Sequence, residues 1–303
     1  MKVGFIGLGA MGKGMAHNLL LKGHELAVFD QSPAALNTFV QQHAQSACTI
    51  ATSAAQAAHE ATVLICMLPT TAHTRDVLWG RDGAMSALKP GSVVMDMGTG
   101  HPNEILALGE ELAAKGCHLV DAPVNRAPPE AEAGTLLAMV GGDPEHVALV
   151  MPLLECMCDT IHRMGALGTG IRMKLANNYM SMVNLLLTAE GILLAERAGI
   201  DREQAVAIMS APGNGASNGQ LLSIFPRKVL AGDLTPDFRL GMCLKDISLA
   251  LDLGVSLGLS LNLGAVARNQ FALAKSWGRQ DQDCTAILPL MHQINASPQS
   301  CGP

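Results

Sequence analysis

The stretch Val3-Gly4-Phe5-Ile6-Gly7-Leu8-Gly9-Ala10-Met11-Gly12 decides the reading of the N-terminal half. A short apolar run leads straight into a G-x-G-x-x-G turn, and an apolar helical pattern follows over residues 15–21. A second apolar run, Leu26-Ala27-Val28-Phe29, ends in Asp30. Strand, turn, helix, strand and terminal acid, in that order, form a β-α-β unit whose turn is shaped for a dinucleotide pyrophosphate. Gly7 permits the tight turn, Gly9 lets backbone approach the phosphates, and Gly12 allows the helix to pack closely on the strand. Leu8, Ala10 and Met11 complete the loop, whose N–H groups open the helix and face the anion. Asp30 stands about 20 residues beyond the loop, where a carboxylate accepts hydrogen bonds from an adenosine ribose and repels a 2′-phosphate. NAD, as NADH in the reducing direction, is therefore favoured over NADP.

Outward from this unit the pattern repeats. Residues 63–68 form a continuous apolar run and residues 93–97 one interrupted only by Asp96, with helical stretches between them, and both read as parallel strands buried on both faces. Pro69 and Gly98 end these runs, which puts Met67, Leu68, Pro69 and Thr99 at carboxyl ends, where open parallel sheets bind ligands. Further strands are predicted at 118–124 and 136–142. After Gly165-Ala166-Leu167-Gly168-Thr169-Gly170 an apolar-rich stretch from 171 to 198 has no proline or turn cluster to break it, and helical patterns follow at 202–210, 222–230, 245–257 and 264–276. The expected fold class is an α/β Rossmann domain, doubly wound with a mostly parallel sheet, over residues 1–163. An all-α domain over 164–303 follows, opening with a long interdomain helix and serving substrate binding and oligomerisation. The interval 212–219, rich in Gly, Asn and Ser, reads equally as a loop over the site or as a connector, and the tail after Asn295 is expected to fray.

Composition narrows the function. At 303 residues the chain is long enough for two domains. A net charge of -6 without a basic run excludes nucleic acid as the expected partner. No apolar run reaches membrane-spanning length and no cleavable leader pattern opens the chain, so a cytoplasmic protein is expected. The eight cysteines, Cys301 the last of them, show no C-x-x-C pair or histidine spacing for zinc; reduced thiols and no metal site are expected. Hydrophobic residues make up 49% but aromatics only 3%, so the 17 methionines and the small aliphatics must form closely packed helices, and a homodimer or homotetramer is expected from them.

Lys174, Asn177, Asn178 and Ser181 fall at i, i+3, i+4 and i+7, which puts a cation, two amides and a hydroxyl on one face of an otherwise apolar helix. Partial burial disfavours an ammonium and suits a lysine to exchange a proton with a substrate oxygen. Reduction of an aldehyde by hydride places negative charge on oxygen, and a lysine with amide neighbours stabilises it. Lys174 is the expected general acid.

With these residues in view the chain resembles the β-hydroxyacid dehydrogenase family, which includes 3-hydroxyisobutyrate dehydrogenase and tartronate semialdehyde reductase. Four motifs in order carry the resemblance: the glycine loop, Asp121-Ala122-Pro123-Val124, Gly168-x-Gly170-x-x-x-Lys174-x-x-Asn177-Asn178, and Lys245-Asp246. The resemblance implies Lys174 as catalytic residue, Asn178 assisting it, and Thr99 and Lys245 near the cofactor. It also implies that Phe238 packs against the site. After Asp-x-Pro-Val the family usually continues Ser-Gly-Gly to hold a carboxylate, whereas this chain has Asn125-Arg126-Ala127. A guanidinium offers a fixed fork of donors that suits a bulkier anion, and this and the surrounding sequence are similar to the branch that reduces 3-sulfolactaldehyde to 2,3-dihydroxypropane-1-sulfonate with NADH. Asn125, Arg126, Asn177 and Ser181 are thus the expected substrate-binding residues, with Arg126 on the anion. Competing readings are a reductase of tartronate, methylmalonate or succinate semialdehyde, a 3-hydroxyisobutyrate dehydrogenase, an imine reductase, and a non-catalytic NAD-binding sensor.

Overall fold

A computed structural model describes residues 1–42 and 47–296. Cys301 and the tail from 297 onward lie outside these residues. The chain divides into two compact units, Met1–Leu175 and Ala176–Pro303.

The first unit is built on nine strands: β1 (Lys2–Ile6), β2 (Glu25–Phe29), β3 (Cys48–Ile50), β4 (Val63–Cys66), β5 (Val93–Asp96), β6 (His118–Asp121), β7 (Val124–Asn125), β8 (Leu136–Gly141) and β9 (Cys158–Gly165). Their order is β3-β2-β1-β4-β5-β6-β8-β7, with β9 paired to β8. The six strands β1 to β6 pair in parallel, while β8 runs antiparallel to β6 and β7. Between them lie helices α1 (Gly12–Leu21), α2 (Pro33–Gln42), α3 (Ala54–Ala58), α4 (Thr71–Trp79), α5 (Pro102–Ala113), α6 (Pro128–Ala133) and α7 (Pro144–Met157).

Period-two alternation within the buried strands sends side chains to two separate cores. Val3, Phe5, Val63, Ile65, Val93 and Met95 meet Met15 and Leu19 of α1 and Val150 and Leu153 of α7 on one face. On the other, Ile6, Leu64, Cys66 and Val94 meet Ala57 of α3, Leu78 of α4 and Leu108 of α5. Helices cover both faces, so the doubly wound architecture follows from uninterrupted apolar runs that no one-sided sheet could hide. Winding starts at β1 and leaves in opposite directions toward β2 and β4, making the β1/β4 boundary the switch point where such sheets bind ligands.

The predicted strand at 118–124 is two strands broken at Ala122-Pro123, since proline cannot donate to the ladder. β9 has no counterpart in the sequence reading: its half-exposed sequence, Cys-Asp-Thr-Ile-His-Arg-Met-Gly, hides any apolar alternation, and pairing with β8 holds it.

The long predicted helix is α8 (Thr169–Arg197), which runs across the division between the units; the second unit continues with α9 (Arg202–Met209), α10 (Leu240–Ser256), α11 (Asn262–Ser276) and α12 (Ile287–Ile294). Beyond β9 no described residue belongs to a strand, apart from one isolated bridge between Arg239 and Asp283. Its core gathers Leu185, Ala189 and Ile192 of α8 with Phe225, Ile247, Phe271 and Ile287. The segment predicted as a helix over 222–230 is a π-helix, Gln220–Leu230, with Pro226 inside it. The wider turn accommodates a residue that has no N–H to give an ordinary helix. Residues 212–219 form turns, pinned where the Asn218 amide donates to Thr188 Oγ1 at 3.1 Å.

Candidate active site

The glycine loop joins β1 to α1 at the switch point. Gly7 has φ of +101°, a left-handed conformation, and a Cβ there would lie 2.3 Å from the Met67 carbonyl oxygen. A Cβ on Gly12 would lie 1.9 Å from the Gly7 carbonyl oxygen. Both glycines are thus required by the fold itself. Gly9 differs: it is exposed, and a Cβ there would meet no atom within 4 Å. Its lack of a side chain keeps open space beside the first turn of α1, as a pyrophosphate requires. Ala10 is exposed beside it and Met11 half-buried, whereas Leu8 is buried and packs in the core. Asp30, at the end of β2, reaches back to the loop: its Oδ2 accepts from Leu8 N–H at 2.7 Å and its Oδ1 from Ser32 N–H at 2.7 Å. A carboxylate has further lone pairs to offer a ribose hydroxyl. Loop, open space and acid fit a dinucleotide, which would supply hydride to a carbonyl carbon.

The adjoining strand ends close around this loop. Met67 and Leu68 are half-buried and Pro69 exposed after β4, and a Cβ on Gly98 would lie 2.3 Å from the Leu68 carbonyl oxygen, so the segment bearing Thr99 packs on them. Asp96, unremarked in the sequence, is buried at the tip of β5, where its Oδ1 accepts from Gly98 N–H and Thr74 Oγ1.

Two of the sequence motifs clip together through a residue that spacing did not reveal. The Asp121 carboxylate accepts the Gly168 and Ile171 N–H groups, each at 2.7 Å, fixing the entry to α8. A Cβ on Gly170 would lie 2.3 Å from the Met139 carbonyl oxygen, so this start of α8 sits directly on β8. Burial pushes the Asp121 carboxyl up to about 6, against the pull of those two backbone bonds. Little more than a turn along α8, half-buried Lys174 donates from Nζ to Asn125 Oδ1 at 2.6 Å.

Arg126 has a different setting from the one expected. Its φ is +83°, and its Nη1 donates to both carboxylate oxygens of Asp159, at 2.8 and 2.7 Å, and to the Thr135 carbonyl. Nη2 stands 3.4 Å from Thr160 Oγ1. The guanidinium that the sequence assigns to a substrate anion is therefore already held by a carboxylate along one edge.

In the second unit, buried Asn178 donates from Nδ2 to Asp246 Oδ2 at 2.7 Å, and Lys245 Nζ lies 2.9 Å from Asp246 Oδ1. The Lys245-Asp246 pair, unremarkable by spacing, has a carboxylate that is 2% exposed and orients the Asn178 amide. Ser181 Oγ accepts weakly from Gln220 Nε2 at 3.4 Å, and Asn177 is half-buried. Phe238 packs on the helical core, its N–H aimed at Asp283 Oδ2 at 3.4 Å.

A Rossmann sheet, a glycine loop open at its second glycine and an acid closing β2 define a dinucleotide-binding domain. Residues 2–165 match the family model for the NAD binding domain of 6-phosphogluconate dehydrogenase, and residues 168–291 match that described as NAD-binding of NADP-dependent 3-hydroxyisobutyrate dehydrogenase. The chain is 40% identical over 286 residues to 3-sulfolactaldehyde reductase of Escherichia coli, covering 94% of each protein. It is 36% identical to 3-hydroxyisobutyrate dehydrogenase of Pseudomonas aeruginosa over 275 residues, 89% of this chain and 91% of that one. The crystal structure of a 3-hydroxyisobutyrate dehydrogenase from Salmonella typhimurium superposes with a TM-score of 0.86 at 28% identity, covering 96% of this chain and 99% of that chain. The chain belongs to the 3-hydroxyisobutyrate dehydrogenase-like family of hydroxyacid oxidoreductases, and it binds a nicotinamide dinucleotide. Among the described residues no helix is long and apolar enough to cross a membrane.

Proposed function

We propose that the protein reduces a short anionic aldehyde to its alcohol with NADH, the preferred substrate being 3-sulfolactaldehyde. The observation that carries the reading is the Lys174 ammonium, half-buried and held at 2.6 Å by Asn125 directly after the Asp121-Ala122-Pro123-Val124 motif. Lys174 donates its proton to the carbonyl oxygen as negative charge develops there, so that the oxygen stays on carbon as the hydroxyl of the alcohol and the lysine is left neutral. Asn178, one turn further on α8 and oriented by Asp246, assists at the same oxygen. Gly7, Leu8, Gly9, Ala10, Met11 and Gly12 hold the pyrophosphate, with Met67, Leu68, Pro69, Thr99, Phe238 and Lys245 along the rest of the cofactor. Asp30 selects NAD by repelling a 2′-phosphate. Asn125, Asn177 and Ser181 contact the substrate.

The sulfonate preference is supported by the 40% identical 3-sulfolactaldehyde reductase and by Arg126, whose guanidinium carries donor N–H groups on Nε and Nη2 besides the Nη1 contacts to Asp159 and the long Nη2 contact to Thr160. A carboxylate semialdehyde is the second reading, favoured by that same ion pair: Asp159 neutralises the charge the sulfonate reading requires. The deciding experiment is NADH oxidation against 3-sulfolactaldehyde and tartronate, methylmalonate and succinate semialdehydes, for the wild type, Arg126→Ala and Lys174→Ala. A sulfonate preference above about tenfold in kcat/KM, roughly 1.4 kcal/mol of transition-state binding, that Arg126→Ala abolishes supports the first reading. A carboxylate preference that Arg126→Ala leaves intact supports the second. Lys174→Ala lowers kcat by about 10²–10⁴-fold on either substrate.

The subunits are read as a homodimer or homotetramer. Met180, Leu187 and Leu194, spaced by seven on α8, are 64%, 60% and 72% exposed, an apolar stripe with the spacing of a helix-helix seam.

A further inference from the structure

Asn125 sits where three constraints meet. Its backbone belongs to β7 and pairs with Leu137 on β8. The next residue, Arg126, takes a left-handed backbone conformation, and its side chain reaches across to the Thr135 carbonyl just before β8 and to Asp159 on β9. The two-residue strand is therefore stapled to two neighbours at its end, and the Asn125 side chain projects from a fixed backbone. That side chain meets Lys174, and an ammonium has only donors. The atom facing it must be the amide oxygen, which fixes the flip of the amide.

We propose that Asn125 is a positioning residue for Lys174, its carbonyl oxygen holding the ammonium in one orientation until the substrate oxygen takes the proton. The inference deepens the reading of Lys174 as general acid and rests on it. A long lysine stem has several rotatable bonds, and an acceptor at 2.6 Å removes most of that freedom before substrate arrives. The acceptor is neutral, so it orients the ammonium without holding the proton as tightly as a carboxylate would. Charged and titratable groups on the adjoining elements include Asp121, engaged by the Gly168 and Ile171 N–H groups; Arg126 and Asp159, engaged by each other; His162 and Arg163, exposed on β9; Arg172 and Glu190, exposed on α8; and, toward the end of α8, Glu196, engaged by Arg202 and His292, and Arg197, which donates to the Asn295 carbonyl.

The test uses the full chain and reads Lys174 in two ways. In the protein without dinucleotide, acetylation of Lys174 by acetic anhydride is followed against pH by mass spectrometry; with NADH and the preferred aldehyde, kcat/KM is followed against pH. Asn125→Ala removes an acceptor that favours the charged amine, so the acetylation midpoint and the high-pH limb of reduction both fall, by about one pH unit. Asn125→Asp, nearly isosteric, places a carboxylate against the ammonium and raises both by about one unit or more. A merely structural role for Asn125 moves neither. Midpoints unchanged in both variants overturn the inference and leave the function reading standing. Turnover retained in Lys174→Ala overturns the function reading, whereas the acetylation midpoints still judge the contact with Asn125.

Discussion

Asp121 and Arg126 show how much a single residue in this chain does through backbone. Asp121→Ala leaves two buried N–H groups, those of Gly168 and Ile171, without their acceptor. We expect a loss on the order of 2–5 kcal/mol of unfolding free energy, measured by urea denaturation. The pH dependence has an unusual sign. Burial raises the folded-state carboxyl to about 6, above the roughly 3.9 of an unfolded chain, so between these values the folded state keeps a proton that the unfolded state has shed. Stability relative to Asp121→Asn therefore falls as pH rises from about 4 to about 6, then stays level; denaturation of both proteins across this range checks it. Arg126, at φ of +83°, holds a conformation that costs a side-chain-bearing residue roughly 1–2 kcal/mol. Arg126→Ala loses the Asp159 pair and keeps that cost, while Arg126→Gly loses the pair and relieves it, so the glycine variant is expected to be more stable than the alanine variant by about 1 kcal/mol in the same denaturation assay. The sequence displayed Asn125-Arg126 as a departure from a glycine turn. It could not display where the guanidinium goes, because Asp159 arrives from a strand that sequence periodicity does not reveal.

At the scale of the element, the glycine loop and α1 separate what folding needs from what the ligand needs. A Cβ on Gly12 collides with the Gly7 carbonyl, whereas one on Gly9 meets nothing in the protein. Gly12→Ala should therefore lower the melting temperature, at a cost on the order of 1–3 kcal/mol, and weaken NADH binding as well. Gly9→Ala should leave the melting temperature of the ligand-free protein unchanged and weaken NADH binding alone; calorimetric melting beside NADH fluorescence titration distinguishes the two. The loop was readable in sequence because its conformation is local and demands a particular residue type at each step. The segment Gln220–Leu230 reads in sequence as an ordinary helix because its apolar pattern is helical, whereas the structure widens the turn around Pro226, which has no N–H to give. β9 and α12 escaped the sequence for related reasons: one is polar and held by its partner strand, the other is a short apolar run whose helical form is fixed by the core it enters.

At the scale of the whole molecule, the exposed stripe of Met180, Leu187 and Leu194 on α8 is the surface that the proposed assembly would bury. Leu187→Glu with Leu194→Glu introduces charges where the stripe is apolar; we expect the mass measured by light scattering to fall to that of a monomer, and an unchanged oligomer would place the interface elsewhere. The sequence by itself determined the succession of a parallel α/β half and a helical half, the dinucleotide loop, the acid at the end of β2 and the lysine with its amide neighbours on one helix. These are written in local periodicity, in glycine and proline placement and in spacings of one helical turn, all of which act between residues near in sequence. Only the tertiary structure decided that Asp121 ties two distant motifs together, that Asp246 holds the Asn178 amide, that Asp159 engages Arg126, and that Asn125 meets Lys174. Each of these contacts joins residues more than thirty positions apart, and a hydrogen bond depends on a few tenths of an ångström that chain spacing does not set until the sheet and helices have packed.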